Sequence, residues 1–163
     1  MHRLINCPIV YLDFDGVLHP DEVYRIRGKI VLKWDGIALF EWAPLLAEDL
    51  EHFPEVRIIL STSWVHVLSF NYARSQLPEA LAKRVIGATW HSTMNLSWWF
   101  SLTRFEQIKL HAQRHKISRW LAIDDNDYGW PAEQSGRFVH TDSMLGIAAP
   151  DSRQLLQKKL REM

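Results

Sequence analysis

Pro8-Ile9-Val10-Tyr11-Leu12-Asp13-Phe14-Asp15-Gly16 is the stretch that decides the fold. Four apolar residues between a proline and an acid read as a short strand buried on both faces, the habit of parallel sheets. The same pattern recurs twice. Val56-Arg57-Ile58-Ile59-Leu60 runs into Ser61-Thr62-Ser63, and Trp120-Leu121-Ala122-Ile123 runs into Asp124-Asp125. Val85 to Ala88 and Arg137 to His140 predict two more short strands.

Helical stretches separate these runs. Pro44 suits the first turn of a helix reaching about His52. Trp64 to about Ala73 and Glu79 to Arg84 also read as helices. Thr103-Arg104-Phe105-Glu106 has capping-box spacing and opens a helix through about His115. Ser152 to about Arg161 predicts a closing amphipathic helix with Leu155, Leu156 and Leu160 on one face. Val23 to Lys33 alternates around Gly28-Lys29 and predicts a β-hairpin.

Strands alternating with helices predict an α/β protein, a three-layer sandwich around a mostly parallel sheet. Ligands of such sheets sit at the carboxyl ends of the strands. Asp13, Ser61-Thr62-Ser63 and Asp124-Asp125 all follow directly after strands, so acids and hydroxyls should meet in one crevice.

That set suits phosphoryl transfer. Of the carboxylates at 13 and 15, one can attack phosphorus and form an acyl phosphate. The other can protonate the leaving oxygen and then deprotonate water. Gly16 allows a sharp turn after them. A hard cation would offset the repulsion between carboxylates and phosphate, and Mg2+ takes oxygen ligands. Asp124 and Asp125 add carboxylates for it. Thr62, with Ser63, can bind a phosphoryl oxygen. Arg104, near a helix N-terminus, can neutralise developing charge, with Lys109 the alternative a turn deeper. Strand-terminal acids can also simply cap helices, and the hydroxyls can cap the helix at Trp64.

Asp-Phe-Asp-Gly-Val-Leu at 13–18, the hydroxyls after Leu60, Arg104 and Asp124-Asp125 resemble, in order, the four motifs of the haloacid dehalogenase-like (HAD) superfamily. The resemblance implies a Rossmann-like HAD-type sheet and a magnesium-dependent phosphohydrolase. It implies Asp13 as nucleophile and metal ligand, and Asp15 as general acid/base with its carbonyl on the metal. Thr62 would bind phosphate, with Ser61 or Ser63 as alternative registers. Arg104 stands where the family more often has Lys. Asp124 would ligate the metal, Asp125 would be a second ligand or a support, and Asp127 is a weaker candidate. An acid at position 15 marks phosphate-ester chemistry rather than dehalogenation. Ser63, Gly16, His19 and Trp64 are expected around the substrate.

Gly-Val-Leu-His-Pro at 16–20, Leu-Ser-Thr-Ser-Trp at 60–64 and Trp-Leu-Ala-Ile-Asp-Asp at 120–125 also resemble a small bacterial branch that includes HAD domains associated with RNA-repair proteins. The resemblance implies a phosphorylated nucleic-acid end or nucleotide as substrate, with a phosphorylated small molecule as the wider class. A catalytically idle phosphate-binding module and a phosphotransferase are the alternative functions.

Only 47 positions separate Asp15 from Thr62 and 20 separate Arg104 from Asp124, so neither gap holds a full cap domain. The hairpin would be a small flap over an open site, which a homodimer could cover. The 163 residues fit a single domain spanning 1–163. No long uncharged apolar run predicts a membrane span, and the N-terminal stretch is too short and too acidic at its end for a signal peptide. Cys7, the single cysteine, excludes an internal disulfide and suits a reducing cytoplasm, where it reads as packing. The formal net charge is zero, which argues against a global attraction for nucleic acid and does not indicate a local basic face. His111 and His115 have i, i+4 zinc-ligand spacing, but read as surface residues. Trp64 and Trp130 follow site motifs and read as packing or pocket lining. Trp98-Trp99-Phe100 reads as core or a dimer patch, with base stacking the lesser alternative.

Overall fold

The computed structural model describes residues 7–163. Five strands form its main sheet: β1 (Ile9–Leu12), β4 (Arg57–Leu60), β5 (Val85–Ala88), β6 (Trp120–Asp124) and β7 (Phe138–His140). Their order is β5-β4-β1-β6-β7, and every pairing is parallel. β1 and β6 are buried along their whole length, as their unbroken apolar runs require.

Alternation along β1 builds two cores. Val10 and Leu12 join Ile58, Leu60, Leu121 and Ile123 under helices α1 (Ala43–Leu50), α3 (Phe70–Ser75), α4 (Glu79–Ala82) and α7 (Pro150–Glu162). Ile9 and Tyr11 turn to the opposite face and meet Phe105, Ile108 and Ala112 of α6 (Arg104–Arg114). The result is the three-layer α/β sandwich expected, and each fully buried Leu or Ile contributes roughly 1.5–3 kcal/mol. Thr103 and Glu106 form the reciprocal capping box that starts α6. In α7 only Leu156 and Leu160 of the expected face are buried, because Leu155 lies off the i, i+4 stripe and is exposed.

The helix expected from Trp64 to about Ala73 is broken. α2 (Trp64–Val67) ends at Leu68, and Ser69 restarts the chain as α3 by accepting the Tyr72 N–H at 3.0 Å. An unpredicted short helix, α5 (Leu96–Ser101), is capped by Asn95. The hairpin pairs β2 (Val23–Ile26) with β3 (Lys29–Leu32). Its turn is Arg27-Gly28, one residue earlier than expected, with positive φ at both positions, as a two-residue hairpin turn of the favoured twist requires. Among the described residues there is no large cap, and no helix is long and apolar enough to cross a membrane.

Candidate active site

Strand register assembles the site. Leu12 pairs with Leu60 on one side and Ile123 on the other, which brings Asp13 level with Ser61 and Asp124. Backbone bonds hold that level beyond the strand ends: Asp13 N–H donates to the Ile123 carbonyl at 3.1 Å, and Ser61 N–H to that of Leu12 at 2.8 Å. One oxygen each of Asp13, Asp124 and Asp125 lies within 4.8 Å of the others. Asp13 and Asp124 are buried. Burial, then repulsion by Asp124, pushes the Asp13 carboxyl well above the usual carboxylate range, while Arg104 opposes the shift. Burial and Asp124, with Asp21, push Asp125 up to about 7.

Arg104 is the cation in this cluster. Its Nε lies 3.0 Å from Asp124 Oδ2, and its guanidinium reaches to 4.0 Å of Asp13 Oδ2 and donates to the Ser61 carbonyl. Burial works against its charge, but Asp124, Asp13, Asp125 and Asp15 outweigh burial and raise its pKa. Lys109 is exposed, with its ammonium 5.9 Å from the Phe105 ring centroid, and Arg104 is the residue that pairs with Asp13 and Asp124. Despite its closeness to Arg104, Asp124 Oδ2 is buried without a hydrogen bond, because the N–H is not aimed at it. One cation among three carboxylates leaves negative charge over, and a hard divalent ion fits that oxygen-rich deficit.

The carboxylates have distinct surroundings. Asp13 Oδ1 accepts the Phe14 N–H at 2.8 Å, leaving Oδ2 freer. Asp15 Oδ1 accepts twice, from His19 Nε2 at 2.8 Å and from Trp64 Nε1 at 2.9 Å. His19 Nδ1 accepts the Phe40 N–H at 3.0 Å, so the proton of the neutral ring sits on Nε2. Both bonds to Asp15 fall on Oδ1 and neither on Oδ2.

Three of the residues expected around the substrate, His19, Trp64 and Gly16, make protein contacts here. His19 is fully buried, with Nε2 on the Asp15 carboxylate. Trp64 is buried too, and its indole N–H donates to Asp15. Gly16, at φ +74°, passes so close to Asp125 that a Cβ there would lie 2.2 Å from its Oδ2; its role is to admit that carboxylate. Thr141, at the end of β7, holds the turn through a 2.7 Å bond to the Gly16 carbonyl. Nothing in the sequence marked Thr141, since a lone Thr after a short strand carries no pattern.

Of the three hydroxyl residues, Ser61 is buried against Arg104. Thr62 and Ser63 line a cavity of about 300 Å³ whose walls include none of the four carboxylates. Its other walls include Arg104, His66, Trp90, Trp99, Phe100 and Tyr128. Trp99 is the buried member of the Trp98-Trp99-Phe100 run, and its neighbours are exposed. Trp130 instead stacks on Phe138 at 4.0 Å, in the second core. Asp127 is exposed near His140 and outside the cluster. His111, expected at the surface, is buried on α6 with Nδ1 bonded to the Tyr11 hydroxyl at 2.9 Å, whereas His115 is exposed. Cys7 donates its thiol to the Glu55 carbonyl at 2.8 Å.

An all-parallel sheet with acids at the ends of two adjacent strands and a basic residue opposite them defines an aspartate-centred α/β fold of the HAD type. Residues 9–152 match the family described as the HAD domain in Swiss Army Knife RNA repair proteins, and the chain belongs to that family. No curated protein and no solved structure matches the chain.

Proposed function

We propose that the protein is a magnesium-dependent phosphomonoesterase working through an aspartyl phosphate on Asp13. The observation that carries this reading is that one oxygen each of Asp13, Asp124 and Asp125 lies within 4.8 Å of the others, beside the fact that Asp124 Oδ2 is buried without a hydrogen bond. Asp13, Asp124 and Asp125, with the Asp15 carbonyl, would hold Mg2+, which would offset charge between the carboxylates and the phosphoryl group.

Asp13 attacks phosphorus, forming the acyl phosphate bond as the ester P–O bond breaks. Asp15 Oδ2 gives its proton to the leaving oxygen. The same oxygen then takes a proton from water, whose oxygen attacks phosphorus and releases phosphate, restoring Asp13. Thr62 and Ser63 bind phosphoryl oxygens, and Arg104 keeps the Asp13–Asp124 pair charged. The clamped Asp15 argues against an idle binding module, which has no use for an oriented proton carrier. The family's association with RNA repair and the absence of a large cap among the described residues support a phosphorylated nucleic-acid end or nucleotide as substrate.

The test is p-nitrophenyl phosphate turnover with Mg2+ and after chelation, followed by a comparison of sugar phosphates, nucleotides and 3′- or 5′-phosphorylated oligonucleotides. Turnover that survives chelation, or an Asp13→Asn variant as active as the wild type, would defeat the mechanism. Activity confined to sugar phosphates would defeat the substrate class.

A further inference from the structure

Between Glu22 and Asp35 the chain carries Arg25, Arg27, Lys29 and Lys33 and no acid, although its formal net charge is zero. All four cations are exposed. They fall on the β2–β3 hairpin and its flanks. Pairing of Val23 with Leu32 and of Arg25 with Ile30 sets one face; Tyr24 with Val31 and Ile26 with Lys29 set the other. Val23 and Ile30 pack on the main core, so the second face turns outward. Tyr24 is 44% exposed and Ile26 41%, and Trp34, just beyond β3, is 43% exposed. Lys33 belongs to the outer face as well, with Nζ 4.6 Å from the Tyr24 ring centroid.

The hairpin lies next in the chain after the acids of the first strand end. It follows the Asp15–His19 turn, and its root is tied by the Asp21 N–H to the Ser143 carbonyl at 2.8 Å. The Asp21 carboxylate is close enough to Asp15 and Asp124 to be repelled by both.

We infer that the outer face of the β2–β3 hairpin binds a single-stranded polynucleotide and leads its phosphorylated end to Asp13. Cations beside exposed rings suit a chain that alternates phosphates with planar bases. An acidic peptide offers charge without rings to stack, and a duplex hides its bases. The inference rests on the proposed phosphatase reading for where the strand ends, and it names the owner of the phosphate.

The probe is a fluorescent oligouridylate of about 12 nucleotides, within the range of single-strand site sizes, followed by fluorescence anisotropy as salt is raised. Three to four phosphate contacts predict that log K falls with log salt at a slope of about −2 to −3. The triple variant R27E/K29E/K33E should lose at least about tenfold in affinity while its p-nitrophenyl phosphate turnover, which also reports folding, stays unchanged. Tyr24→Ala with Trp34→Ala should weaken binding without changing the salt slope. Unchanged binding by the triple variant, or no binding by the wild type, would overturn the inference. So would equal competition from polyphosphate, an acidic peptide or a duplex. Failure of the wild type to turn over p-nitrophenyl phosphate would strike the phosphatase reading and leave the binding result standing.

Discussion

The indole N–H of Trp64 donates to Asp15 Oδ1 at 2.9 Å, the oxygen that His19 Nε2 also reaches at 2.8 Å. Two donors on one oxygen fix the carboxylate plane and leave its other oxygen toward the crevice. Phe40 in turn fixes the His19 tautomer. A buried aromatic pair thus orients one carboxylate.

Trp64→Phe keeps most of the ring and removes the donor. kcat should fall about tenfold, the value of one hydrogen bond to a charged group, with KM changed less than about twofold. Steady-state kinetics separates the two parameters. A rise in KM at constant kcat would place Trp64 at the substrate instead.

Asp15→Asn should still accept the phosphoryl group from p-nitrophenyl phosphate, whose leaving group needs little protonation, but should hydrolyse it slowly. Loss of a general base slows that step by about 10²–10⁴-fold. Intact-protein mass spectrometry should therefore show a phosphorylated species in Asp15→Asn and none when Asp13→Asn is added.

Arg104→Ala removes the cation that, among the described residues, pairs with the two buried carboxylates Asp13 and Asp124. Stripping one partner from a buried pair costs about 3–5 kcal/mol, so chemical denaturation in the absence of metal should show a loss of that order. Arg104→Lys restores the charge without the planar fork, and should recover only part of the loss.

His111 is buried, and burial first, then the neighbouring histidines His115 and His91, pushes its pKa down to about 3 from an ordinary 6.5. The unfolded chain therefore binds a proton near pH 6.5 that the folded protein refuses until about pH 3. Stability from neutral His111 is present above pH 6.5 and is lost as the pH falls through that window. The maximum slope is about 1.4 kcal/mol per pH unit. His111→Gln should flatten the urea-denaturation profile between these limits. Identical slopes in variant and wild type would exclude the assignment.

The sequence by itself determined the architecture and the acidic centre. Apolar runs ending in Asp13, Ser61 and Asp124, the second broken only by Arg57, encode parallel strands, and a parallel sheet delivers all its strand ends to one edge. Thr103 and Glu106 encode the start of α6 through contacts three residues apart, and so place Arg104 at the helix entry. These signals are local or periodic, which is why they could be read. The tertiary structure decided the partners of the polar side chains. Trp64 meets Asp15 across 49 positions, and Tyr11 meets His111 across 100. His19, expected near the substrate, lies buried between the Asp15 carboxylate and the backbone N–H of Phe40, 21 positions on. Such pairings depend on strand register and helix packing together, and a side chain's own neighbours in sequence carry no record of them.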